Sequence, residues 1–239
     1  MTVLRPDLYI ASMGRSGSTL VANWLSVPGQ EQYIFVEPNL TQGITPLLAT
    51  QLERFGLAPS CSTDATLEEF HDLMQGRRWG VKEVKGILHD HIGSMLQPRR
   101  VVVTVRDIAE VYLSLVEKHR IQGVDVRFDT EWSRLYCLRE AGYLLDLCRN
   151  RPDYHVIRYR DFVHSEDSRR ALLEYTGFCG GGVVDFNFDL YNRSYETGYF
   201  NGRIAPRTRD YRTITARDLH AAREVAGMCV EYQAHFGYA

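Results

Sequence analysis

The stretch that decides the fold is "YIASMGRSGSTLVANWL", Tyr9 to Leu25. It begins as a short apolar run of strand type and ends with the spacing of an amphipathic helix. Between the two lies Gly14-Arg15-Ser16-Gly17-Ser18-Thr19. A glycine-rich turn from strand into helix is where proteins hold phosphate-like anions. Gly14 and Gly17 permit close backbone approach, and the helix N-terminus offers N–H groups and partial positive charge. Ser16, Ser18 and Thr19 add hydroxyls, and Arg15 adds a planar cation. The residue after Gly17 is Ser18, where the nucleotide loop G-x-x-x-x-G-K-[ST] has lysine. The turn therefore suits a phosphate or sulfate better than ATP–Mg, the alternative being an ordinary strand-to-helix connection.

Working outward, further apolar runs read as buried strands: "YIFVE" (33–37), "WGVKEV" (79–84), "VVVTV" (101–105) and "YHVIRY" (154–159), beside "LYIASM" (8–13). Rich in Val, Ile and Tyr and without strict alternation, they suit a parallel sheet covered on both faces. Helical patterns fall between them at 18–25, 42–55, 66–75, 107–120, 131–148, 165–175 and 215–235. In 131–148 the apolar side is read as Trp132, Leu135, Tyr136, Leu138, Tyr143, Leu144 and Leu147. The alternation predicts an α/β fold, one domain over residues 1–239, with a doubly wound, mostly parallel sheet.

The bulk properties narrow the class. Among 239 residues, 44% are hydrophobic and 24% charged, and the net charge is -2, which fits an ordinary globular protein and no nucleic-acid or membrane partner. No apolar run is long enough to span a bilayer, and Arg5, Pro6 and Asp7 interrupt any signal-peptide layout, so a cytoplasmic location is expected. Cys61, Cys137, Cys148, Cys179 and Cys229 are scattered, with no metal-ligand spacing; they read as reduced thiols, and no metal is expected.

A second anion device follows the 101–105 strand. Arg106 stands at its end, and Ser114 lies two turns into the next helix, in "VRDIAEVYLS". A cation at a strand end and a hydroxyl in the following helix can converge on one phosphate; alternatively, Arg106-Asp107 is a surface ion pair with a capping Asp. The pairing of "GRSGSTL" with this R-x7-S spacing resembles the sulfotransferases. A third segment, "YHVIRYRDFVHSEDSRRALLEYTGF" (154–178), is similar to that family's later motif at Arg158, Tyr159, Asp161 and Phe162, with Arg160 in place of the usual Glu.

The resemblance implies 3′-phosphoadenosine 5′-phosphosulfate (PAPS) as donor and adenosine 3′,5′-bisphosphate (PAP) as product. It implies that Gly14 to Thr19 hold the phosphosulfate, that Arg106 and Ser114 hold the 3′-phosphate, and that Tyr159 lies near the adenine. Arg15, where many cytosolic members have Lys, and Glu37 in "FVEPN" are closer to the carbohydrate and tyrosylprotein branches. The implied acceptor is a hydroxyl of a carbohydrate or small molecule.

For catalysis, Arg15 would stabilise the leaving phosphate and Glu37 would take the acceptor proton. His89 and His91 are alternative bases, and Glu37 is alternatively a capping or salt-bridged carboxylate. Lys82, ahead of Lys85 in "WGVKEVKG", would reach the transferred group, or else face water from an edge strand. The segment 192–212 carries Arg193, Arg203, Arg207, Arg209 and Arg212 and reads as a long surface loop. Arg203 and Arg207, with Arg209, would add to the nucleotide clamp, and Tyr195, Tyr199 and Phe200 would wall the acceptor; alternatively the segment is a solvated basic loop and its aromatics are packing. Competing functions are a P-loop ATP-dependent kinase, with Asp107 on Mg²⁺, and a nucleotide-binding protein without turnover.

Overall fold

The structure, a computed structural model, describes residues 3–57, 66–123, 126–184, 204 and 211–238, with the backbone alone for 126–129. Five strands form one parallel sheet: β1 (Leu8–Ser12), β2 (Gln32–Val36), β3 (Arg78–Glu83), β4 (Arg100–Val105) and β5 (His155–Arg158). Their order is β2-β3-β1-β4-β5. Every pairing is parallel, with Ile10 opposite both Lys82 and Val102. The helices are α1 (Ser18–Leu25), α2 (Pro46–Arg54), α3 (Leu67–Leu73), α4 (Gly86–His89), α5 (Ile108–Ile121), α6 (Val126–Asn150), α7 (Tyr159–His164), α8 (Glu166–Thr176), α9 (Ala216–Met228) and α10 (Val230–His235). None of them is long and apolar enough to cross a membrane, among the described residues.

The two-residue period of the strands divides the core in two. Leu8, Ile10, Ile34, Val36 and Val102 pack with Val21, Leu25, Phe162 and Leu172, on the α1, α7 and α8 side. Tyr9, Ala11, Phe35, Val81, Val101 and Val103 pack on the other side with α2, α3, α5 and α6. Burial on both faces is why these runs lack polar alternation, as a doubly wound sheet requires.

Local chemistry sets several boundaries. α2 starts at Pro46, behind the Thr45 cap that accepts from the Leu48 amide, so it is shorter than the 42–55 expectation. Asp107 caps α5 through the Glu110 amide at 3.1 Å. Tyr159 opens α7 and ends the expected 154–159 strand early. The C-terminal helix breaks at Cys229. On α6 the inward face is Ser133, Tyr136, Cys137, Glu140, Ala141, Leu144 and Cys148, at i, i+3, i+4 spacing toward α5. Trp132 and Leu135, expected inside, flank that stripe and are 42% and 60% exposed.

Two buried side chains hold the ends of the segment between Val184 and Tyr211. Asn23 of α1 donates to the Val184 carbonyl at 2.9 Å. Glu117 of α5 accepts from the Arg212 amide at 2.8 Å, the Thr213 amide at 3.0 Å and the Thr213 hydroxyl. Beside it, Arg120 donates to both Asp218 oxygens at 2.8 Å.

Candidate functional site

The chain runs from β1 to one side of the sheet and crosses to the other for β4, so the topological switch lies at the β1–β4 pair. Ligands in open α/β sheets sit outside the C-terminal strand ends at such a switch. The 14–17 turn and Arg106 both stand there.

The turn is held open by its own residues. Gly17 is left-handed, at φ 86, and begins α1 with no side-chain cap, which leaves first-turn N–H groups of α1 for a ligand. Arg15 is left-handed too, at φ 69, a strained geometry for a residue with Cβ. The hydroxyls turn inward: Ser16 meets Thr104 at 3.2 Å, and Ser18 accepts from Ser12 at 3.0 Å. They brace the turn, so an anion there would meet the backbone and the cations. Gly14 donates to the Tyr136 hydroxyl at 2.6 Å, which itself donates to the Val84 carbonyl at 2.9 Å. A Cβ on Gly17 would lie 2.2 Å from the Tyr159 ring, so this glycine admits the aromatic face.

The residues of the two expected anion devices meet. Arg15 Nε donates to Ser114 Oγ at 2.9 Å. Arg106 Nη1 donates to the Arg15 carbonyl at 3.2 Å, and its guanidinium lies 4.5 Å over the Tyr159 ring. Arg106 also pairs with Glu110 at 2.7 Å. Asp107 is otherwise engaged: its oxygens take the Glu110 amide and Gln233 Nε2, the latter at 2.9 Å. Among the described residues no group of three or more His, Cys, Asp or Glu is placed to hold a metal ion.

Over β2 and β3 lies a second, more buried group. Lys82 is on an interior strand and 1% exposed, which excludes the water-facing edge position. Its Nζ meets Glu37 Oε1 at 2.6 Å and donates to Thr19 Oγ1 at 3.2 Å. Glu37 is partly open to solvent, and its left-handed backbone, at φ 51, is tied by its amide to the Lys82 carbonyl at 2.6 Å. Glu83, one residue past Lys82 and on the opposite face, accepts from the Asn39 amide at 2.8 Å. Burial pushes its carboxyl up to about 7, against the Asn39 hydrogen bond and with help from the Glu37 charge.

His89 sits in the core. Its Nδ1 meets the Tyr9 hydroxyl at 2.9 Å and its Nε2 the Ser12 carbonyl at 3.3 Å, and burial lowers it to about 4. With both ring nitrogens engaged, it has none to offer an acceptor hydroxyl. His91 lies in the turn after α4, half-buried. Arg203, Arg207, Arg193, Arg209, Tyr195, Tyr199 and Phe200 lie outside the described residues.

Two further charged residues carry no motif. Glu83 is an unremarkable acid in an apolar run. Lys118 stands one turn beyond Ser114 on α5, and the i, i+4 interval was its one signal in the sequence.

No protein-family model matches this sequence, and no curated protein matches it. Solved structures share its fold. A sulfotransferase domain from the Synechococcus PCC 7002 olefin synthase is similar at TM-score 0.63 and 16% identity, over 96% of each chain. A sulfotransferase domain from the curacin biosynthetic pathway gives TM-score 0.58 and 13% identity, over 100% of this chain and 99% of that one. The sulfotransferase STF9 from Mycobacterium avium gives 0.56 and 12%, over 98% and 77%. The chain has the fold of sulfotransferase domains.

Proposed function

We propose that this chain transfers a sulfuryl group from PAPS to a hydroxyl of a small-molecule or carbohydrate acceptor. The observation that carries the reading is the contact of the two anion devices: Arg15 Nε on Ser114 Oγ, with Arg106 on the Arg15 carbonyl. One ligand with charge at both ends fits this cluster better than two separate anions. The shared fold supports the same reading.

In this reading the amides of Gly17 to Thr19 and Arg15 bind the 5′-phosphosulfate and hold charge on the leaving phosphate. Preorganised donors at such a position are worth about 10²–10³ in kcat. Arg106 and Ser114 bind the 3′-phosphate, and Tyr159 packs by the adenine. Lys82 is aimed at the transferred group. Glu37 takes the acceptor proton while the new S–O bond forms and the S–O bond to the 5′-phosphate breaks. Lys82 holds Oε1 of Glu37, which orients Oε2 toward the acceptor. Arg203 and Arg207 extend the clamp on the strength of sequence alone. Arg15 and Glu37-Pro38 favour the carbohydrate and tyrosylprotein branches, and a cytoplasmic site of action goes with the reading.

Calorimetric titration with PAP, 5′-AMP and ATP–Mg tests it. PAP is expected to bind tightly, 5′-AMP weakly, and Arg106→Ala to lose at least about tenfold in PAP affinity. Binding of ATP–Mg with none of PAP would overturn the reading in favour of a kinase.

A further inference from the structure

The donor reading accounts for Arg15, Arg106, Lys82 and Glu37 but leaves a fourth cation over. Lys118 shares the Ser114 face of α5, one turn on, and Ser114 is the residue that meets Arg15. It is half-buried. Among the described residues no hydrogen bond or ion pair engages its ammonium. Its neighbours on the helix differ: Arg120 is bidentate on Asp218, and Glu117 takes three donors.

Burial lowers Lys118 below the ordinary lysine value, and the charges of Arg15 and Lys82 act the same way against that of Glu37. Helix spacing sets Lys118 one turn beyond the Ser114–Arg15 contact. Lys82 has Glu37 as its counter-ion. In the proposed reading Arg15 has the phosphosulfate. Among the described residues no anion is hydrogen-bonded or ion-paired to Lys118, and a half-desolvated cation without one is costly. An aromatic row starts at its chain neighbour His119. The His119 ring is edge-on to Trp132 at 5.0 Å, Trp132 stacks on Tyr136 at 4.9 Å, and Tyr136 meets the Gly14 amide.

We infer that Lys118 binds an anionic group on the acceptor, so that the acceptor is a hydroxyl compound bearing a carboxylate or a phosphate. This rests on the donor reading above, because it is the donor that occupies Arg15. A neutral sugar or simple phenol would leave the ammonium without a partner. The exposed Trp132 face fits an unsaturated or apolar body next to that charge.

The test uses the whole chain saturated with PAP, so that the 14–19 turn and Arg106 are filled. Benzoate and phenyl phosphate are titrated in by calorimetry, with benzamide as the neutral control. One or both anions are expected to bind at least tenfold more tightly than benzamide; the two arms separate carboxylate from phosphate. Lys118→Met should abolish that preference and Lys118→Arg should keep it, both with native affinity for PAP. Equal binding of anion and amide overturns the inference, as does absence of anion binding to PAP-loaded protein, or anion binding that survives Lys118→Met. A Lys118→Met variant that loses PAP affinity also overturns it, by moving Lys118 to the donor side. Failure of native protein to bind PAP sinks the donor reading instead, and the same titration without PAP then decides Lys118 by its dependence on that side chain.

Discussion

Two charged clusters lie close to α5, and they are satisfied to different degrees. Arg120 spans both oxygens of Asp218, which also closes the capping box of α9 with Thr215, while Glu117 accepts three donors from Arg212 and Thr213. Every charge there has its partner inside the protein. At the strand ends Lys82 is deeply buried, but its partner Glu37 is partly open and held through one oxygen, and Lys118 has no partner among the described residues. Fully paired buried charges fix geometry; incompletely paired ones beside an opening are where a ligand adds the missing interactions. The first cluster reads as architecture, and the proposed function assigns the chemistry to the second.

The largest expected effect separates the two. Lys82→Met should lower sulfuryl transfer to any accepted hydroxyl by about 10²–10³. Melting should change little, because Glu37 can turn to water. Equal losses of stability and turnover would put Lys82 with the architecture. Asp218→Ala should do the reverse. It leaves Arg120 without its counter-ion and costs about 3 kcal/mol, read by chemical denaturation, with PAP affinity kept. Burial alone would raise the Asp218 carboxyl, but hydrogen bonds from Arg120 and Thr215 reverse this and bring it down to about 2, from 3.8. Its contribution is therefore present above pH 3.8 and is lost as pH falls toward about 2.

A smaller effect comes from Glu83 and His89, which both lie beside Tyr9. With Glu83 raised from 4.5 to about 7, the folded state holds a proton that the unfolded chain has released, so stability falls as pH rises across that interval. His89, lowered from 6.5 to about 4, acts oppositely: stability falls as pH drops through its interval. Each is worth on the order of 3 kcal/mol at most. In the shared window the two slopes offset, and the native protein should show a shallow profile. Glu83→Gln should expose the His89 slope, with stability rising from pH 4 to 6.5. A profile unchanged in Glu83→Gln would mean that Glu83 titrates like a surface acid.

The sheet was legible because its strands are local runs whose burial on both faces leaves a mark in composition. The strand-to-helix turn after β1 was legible for a similar reason, since two glycines between an apolar run and an amphipathic one are a short-range signal. Strand order is not written in any one run, so the burial of Lys82 on an interior strand could not be told from an edge lysine. Glu83 depends on Asn39, which follows a neighbouring strand, and Lys118 on the contact of Ser114 with Arg15. Trp132 and Leu135 were read as inward because a long helix has several apolar arcs, and only the packing of α5 on α6 selects one.

The clamps of Asn23 on Val184 and of Glu117 on Arg212 and Thr213 have a consequence for how damage would spread. Both side chains are fully buried, and each holds backbone that lies about a hundred or more residues further along the chain. Removing one such hydrogen bond costs about 1 kcal/mol. A fault in α1 or α5 would therefore be felt first at Val184 or at Arg212 and Thr213, far along the chain from the altered residue.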